Sequence, residues 1–177
     1  MKKRADIVEF TLIYNEHKVH IFHFVRKMIN NEMAAEDITQ SVFMKFFENM
    51  PDIRDKNSHE FWLFKTARNE IYNFYRSKKA ANKVYEYVDA EPVEIPAEEG
   101  IEDRFDSIEM HNLIIKELNS FPVEQREPYL LKEYSGLTYK EISELLGFDE
   151  DLVRSRLFKV RRKLIERISK IMFYGVK

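Results

Sequence analysis

The densest chemistry in the chain is cationic: RSRLFKVRRK, Arg154 to Lys163, holds six basic side chains and no acid. Placed at 100° per residue, Val153, Leu157, Val160, Leu164 and Ile168 fall in one narrow stripe, the buried face of a helix. The opposite face then carries Asp151, Ser155, Phe158, Lys159 and Arg162, flanked by Arg154, Arg156, Arg161 and Lys163. Such a face can meet phosphates, although a charge run alone is better explained by a solvated surface. The preceding residues, LTYKEISELLGF, favour the first reading. Thr138 followed by Glu141 is a capping box, Gly147 can close a short helix at positive φ, and Asp149 can cap the next helix. Two short helices around a tight turn, the second basic, form a helix-turn-helix that lays its second helix in a major groove.

A second stretch, EFWLFKTARNEIYNFYRSKK from Glu60 to Lys79, has a different chemistry. Leu63, Ala67, Ile71 and Phe74 form an uncharged stripe, and opposite them fall Trp62, Lys65, Asn69, Tyr72 and Arg76. Rings interleaved with cations and an amide suit single-stranded nucleic acid, because bases stack on rings while cations meet phosphates. The competing reading packs Trp62 and Tyr72 against a neighbouring helix. A third stretch, Ala35 to Asn49, turns Ile38, Val42 and Phe46 inward and Asp37, Gln40, Met44 and Phe47 outward. Exposed Met and Phe beside hydrogen-bonding groups suggest a protein-docking face, unless the first helix of the domain covers it.

Other chemistries find little support. His17 and His20 share a helix face, but His23 lies about 120° from His17 at helical pitch, so no metal is expected. There is no Gly-rich phosphate loop, no serine elbow and no cysteine, and neither cofactor nor catalytic activity of its own is expected. The basic start, Met1 to Arg4, runs into Asp6 and Glu9 without an apolar signal core, and no apolar stretch approaches the roughly 20 residues of a membrane span. The absence of cysteine fits a reducing cytoplasm.

These stretches need elements to position them. Only four glycines in 177 residues, 44% hydrophobic content and no alternating runs predict an all-α protein. Apolar spacing predicts helices over 6–30, 35–49, 60–79, 107–118, 124–134, 138–146 and 150–170, the second ended by Asn49-Met50-Pro51. Pro128 sits awkwardly in the fifth, as a late first-turn residue or as a kink. The net charge of −2 conceals a strong division. Residues 1–82 hold 14 basic and 11 acidic groups, residues 83–106 hold 2 and 9, and residues 107–177 hold 13 and 11. The middle segment, with Pro92, Pro96 and repelling acids, reads as an acidic flexible linker between two small helical domains, 1–82 and 107–177.

The C-terminal motifs, LTYKEISELLGF and LVRSRLFKVRRKL preceded by LNSFPVEQREPYLL, resemble the C-terminal domain of sigma factors of the extracytoplasmic-function (ECF) group. Upstream, AEDITQSVFMKFF resembles the sigma segment that docks on RNA polymerase, and FWLFKTARNEIYNFYRSKK the segment that melts and reads the minus-ten element. The order and distances match, from about Phe10 to Arg167. The resemblance implies a protein that binds core bacterial RNA polymerase and promoter DNA, duplex and melted strand, in the cytoplasm, with an anti-sigma factor as a further partner. A helix-turn-helix regulator that binds duplex DNA without polymerase is the alternative.

On that resemblance Asp37 and Gln40, with Met44 and Phe47, meet the polymerase. Asn69 holds a flipped promoter base near Trp62, Lys65 and Tyr72, and Arg76, Lys78 and Lys79 meet phosphates. Arg154, Ser155, Arg156, Phe158, Lys159 and Arg162 address the minus-thirty-five element. The chain departs from the family pattern at Ser41, Asp151, Leu152 and Phe158. The acids Asp149, Glu150 and Asp151 stabilise a helix N-terminus but repel phosphates, unless Glu150 or Asp151 accepts from a cytosine amine. An altered base preference is expected, with Phe158 on a thymine methyl.

Overall fold

A computed structural model describes residues 2–53, 59–82, 110 and 113–174. The expected acidic linker, 83–106, lies outside the described residues. Those that are described are almost wholly helical and include no strand.

Three helices make the first unit: α1 (Lys2–Ile29), α2 (Glu32–Asn49) and α3 (His59–Asn82), with a short 3₁₀ turn, Met50–Asp52, after α2. Helix α2 starts three residues earlier than the apolar spacing predicts because Asn31 caps it, its side chain accepting from the Ala34 amide at 2.8 Å. Asn30 makes the turn in the left-handed region at φ 50°, where asparagine is tolerated. The expected stripes are the buried ones. Ile38, Val42 and Phe46 of α2 and Leu63, Ala67 and Ile71 of α3 pack with Ile21, Phe24, Val25 and Met28 of α1, and Phe64 joins them edge-on to Phe24. Phe74 is only half-buried.

The second unit comprises α4 (helical over 113–119), α5 (Val123–Tyr134), α6 (Tyr139–Leu146) and α7 (Glu150–Tyr174). Pro128 lies inside α5 and is buried. The residue four before it, Glu124, loses its helical partner, and the Arg156 guanidinium donates to that carbonyl at 3.4 Å. Thr138 and Glu141 exchange both bonds of the capping box, and Gly147 ends α6 at φ 70°. Asp149 caps α7 by accepting from the Leu152 amide at 2.7 Å. Val153, Leu157, Val160 and Leu164 are buried, and Ile168 half-buried.

The two units touch. Helix α5 lies along α1 and reaches α3, and the buried apolar side chains of both units form one continuous cluster. Gly136, at φ 62°, sits under α3, where an added Cβ would come within 3.3 Å of the Glu60 carboxylate.

Candidate nucleic-acid and protein-docking surfaces

Helix α7 presents its expected outer face to solvent, but its cations are not equivalent. Phe158, Lys159 and Arg162 are exposed. Arg162 has its guanidinium 6.0 Å from the Phe158 ring centre. Arg154 instead stacks on Tyr139 of α6 at 4.2 Å and donates to Glu150 at 3.2 Å. Arg156 stacks on Phe148 at 4.1 Å while serving the Glu124 carbonyl, and Arg161 pairs with Glu133 at 3.0 Å. Ser155 is half-buried. The three acids divide their tasks: Asp149 caps, Glu150 pairs with Arg154, and Asp151 stays exposed without an ion pair among the described residues.

The outer face of α3 is partly open and partly covered. Lys65, Asn69, Arg76, Lys78 and Lys79 are exposed, with Arg76 donating to Asn73. Trp62 is half-buried, its ring edge-on to Phe46 at 5.6 Å. Tyr72 lies against α5: its hydroxyl donates to Glu127 Oε2 at 2.9 Å. Burial first, and then the Glu127 carboxylate, pushes the Tyr72 pKa up to about 12. Glu127, itself only 3% exposed, also accepts from Arg68 Nε at 2.9 Å, and burial raises its pKa above the usual carboxylate value despite Arg68.

On α2, Asp37 and Gln40 are exposed, and Met44 and Phe47 keep large exposed areas. Phe10 of α1 covers one side of Phe47, edge-on at 5.0 Å. What remains is an open, mainly apolar groove between α1 and α2, lined by Tyr14, Phe22, Phe43, Met44 and Phe47 with Gln40 at its rim. The first helix therefore covers part of this face, and the rest stays exposed.

His17 is buried, its Nδ1 3.9 Å from Glu60, too far for a hydrogen bond, and burial lowers its pKa. No group of three or more potential metal-ligating side chains lies together among the described residues. None of the described helices is long and apolar enough to cross a membrane.

Sequence reasoning missed Arg68, Arg126 and Glu127. Arg126 and Glu127 stand in the QRE of the quoted motif, and the only available signal was an adjacent opposite-charge pair within a helix otherwise rich in apolar positions.

Comparison with known proteins matches residues 13–81 to the sigma-70 region 2 model and residues 111–164 to the sigma-70 region 4 model. The chain is similar to the RNA polymerase sigma factor SigZ of Bacillus subtilis, 28% identical over 80% of this chain and 76% of that one. It is likewise similar to the ECF RNA polymerase sigma factor SigW of the same organism, 26% identical over 94% of this chain and 92% of SigW. Among solved structures, the sigma factor RpoE of Bartonella quintana, crystallised with the anti-sigma factor NepR, matches with a TM-score of 0.73 and 25% identity, covering 96% of this chain and 98% of that one. CnrH, solved with the cytosolic domain of CnrY, shares the fold at a TM-score of 0.61 and 20% identity over 90% of this chain and 87% of its own.

Proposed function

The chain belongs to the ECF group of the sigma-70 family and is an RNA polymerase sigma factor directing promoter-specific initiation, and from that premise we propose how its surfaces divide the work. Residues 1–82 form the unit that binds core polymerase and the minus-ten element, residues 107–177 the unit that binds the minus-thirty-five element, and 83–106 the connection. Asp37, Gln40, Met44 and Phe47 meet the polymerase, because an exposed apolar patch with a polar rim suits a protein partner. Asn69, Lys65 and Trp62 take the melted strand, together with Tyr72 once it is uncovered, and Arg76, Lys78 and Lys79 hold its phosphates. On α7, Phe158, Lys159 and Arg162 reach the groove directly. Arg154 and Arg156, fixed by stacking, orient the helix and meet phosphates at its flank, near Ser155.

The observation that carries this division is the pairing, in one chain, of an exposed cationic face behind a capped turn with an exposed Lys65–Asn69–Arg76 row on α3. Two weak contacts on one polymerase-bound molecule become effectively intramolecular, which is what promoter selection by two short elements needs. By likeness to the solved complexes, an anti-sigma factor is a further class of partner. A polymerase subunit works where the polymerase does, in the bacterial cytoplasm.

The test is in vitro transcription from a promoter library with core bacterial RNA polymerase, with and without the protein. Promoter-specific transcripts that need the protein, fall with Asn69→Ala and shift in their minus-thirty-five preference with Phe158→Ala support the assignment. Unchanged start-site choice in both variants overturns it.

A further inference from the structure

We infer that the open groove between α1 and α2 takes the C-terminal end of α7 from a second copy of this chain, so that the protein associates with itself, helix into groove.

Both halves of that contact stand exposed on one molecule. Helix α7 runs on to Tyr174, whereas the region 4 match ends at residue 164. At 100° per residue Ile168, Met172 and Ile165 fall within about 60° of one another, the i, i+3, i+7 spacing by which a helix anchors in a groove. Ile165 is 67% exposed, Met172 54% and Phe173 83%. So many large apolar side chains along one short stretch form an uncovered patch, not scattered exposure. The end of α7 is tied to its own unit, Arg167 pairing with Glu117 at 3.2 Å and stacking on Phe121 at 4.8 Å. In the same molecule the groove stays open, so neither face satisfies the other within one chain.

Size and charge match across the two faces. The groove follows α1 from Phe10 to Phe22, about 18 Å at the helical rise, and the ridge from Ile165 to Phe173 covers about 12 Å. A groove volume of about 1090 Å³ takes a row of large side chains rather than one. Its α2 wall is acidic, with Glu36 and Glu48 on the groove and Glu32 and Asp37 exposed beside them. The α1 wall contributes one cation, Lys18, drawn over the Tyr14 ring at 5.3 Å. The end of α7 has the opposite sign: Arg162, Lys163 and Lys170 stand exposed there against one acid, Glu166, which pairs with Lys170. An apolar helix edged by cations therefore finds both a floor and a counter-charge in this groove.

Ridge and groove are different surfaces, so the contact is heterologous; two copies close it reciprocally or it extends to further copies. Association covers Met44 and Phe47, which line the groove. That it keeps associated molecules off the polymerase rests on the docking role proposed above; the association itself does not.

Sedimentation equilibrium of the full chain, from micromolar to near-millimolar protein, is expected to show the mean mass rising from one chain to two or more. The ridge variant, Met172→Asp with Phe173→Asp, and the groove variant, Met44→Arg, change exposed side chains and should each stay single throughout. Mixed in equal amounts they should associate again, because one still offers a groove and the other a ridge, which misfolded variants would not do. An unaltered chain that stays single overturns the inference, as does association that survives in either variant or a mixture that stays single. Core polymerase added to the associated mixture should take up the ridge variant and release the groove variant as a single chain. A complex that holds both overturns the docking role of Met44 and Phe47 and leaves the association standing.

Discussion

The two proposed nucleic-acid faces differ in how much of each the protein keeps for itself. On α7 the central row of Phe158, Lys159 and Arg162 stands in solvent, while on α3 the rings turn inward, Trp62 onto Phe46 and Tyr72 onto Glu127. The chemistry of the targets explains the contrast. A duplex is met mainly through phosphates, which needs hydrated cations that cost little to leave exposed. A melted strand is met through base planes, which needs rings, and rings left in water find intramolecular partners. On the proposed assignment, the strand-reading face is the one that the rest of the molecule partly covers.

The largest effect expected is on the floor beneath the α3 face. Ile71 is fully buried directly behind the exposed row, and Ile71→Ala should cost about 2–5 kcal/mol, read as a lowered urea midpoint. Lys65→Ala, six residues earlier on the outer face, should leave the midpoint within about 0.5 kcal/mol of the original. A large loss from Lys65→Ala would mean that the outer face of α3 is structural and that the contrast with α7 is false.

On α7 the contrast is sharpened by salt. Lys159→Ala and Arg162→Ala should each weaken duplex binding at all sequences and lower the slope of log affinity against log salt by about one. Arg156→Ala should instead lower stability, since it removes a side-chain donor from the Glu124 carbonyl freed by Pro128. Equal salt slopes and equal stability losses for the three variants would erase the distinction between free and engaged cations.

These assignments also show where sequence reasoning stops. The stripes on α2, α3 and α7 were legible because burial follows helical period, and the caps at Thr138, Gly147 and Asp149 because each is a local bond between near neighbours. Period reveals which face of α3 is outward but not what lies on it. The cover on Tyr72 comes from Glu127, 55 residues away, across a segment without regular spacing. The same limit applies on α7, where six cations looked alike. Which are free depends on Tyr139, Phe148 and Glu133, residues whose own roles emerge only in three dimensions.

A smaller effect reports on the junction between units. Lys27 of α1 lies half-buried, 5.7 Å from the Tyr134 ring centre of α5, and burial, with the Arg26 charge adding to it, lowers its pKa from 10.5 to about 8. Below pH 8 the folded and unfolded chains both carry the proton. Between about 8 and 10.5 the unfolded chain keeps it while the folded one sheds it, so this group makes stability rise with pH across that window. Thermal denaturation at pH 7.5 and 9.5 should show the rise, and Lys27→Met should flatten it while raising the midpoint at pH 7.5. A slope unchanged by Lys27→Met would place Lys27 in water and weaken the case that α5 packs closely on α1.

The smallest effect separates two roles for the acids that open α7. Glu150 pairs with Arg154 at 3.2 Å across one helical turn, a contact worth only about 0.2–0.5 kcal/mol on an exposed helix. Arg154 is also held by the Tyr139 ring, so Glu150→Gln should leave its position and the thermal midpoint nearly unchanged. If the acid serves only the helix, removing its charge should tighten binding to every duplex by a similar modest factor, because a repulsion toward phosphate is lost. If it accepts from a cytosine amine, selection from a randomised duplex library should lose its preference at one base pair and keep the rest. Asp151→Ala in the same selection completes the comparison, since Asp151 is exposed and has no ion pair among the described residues.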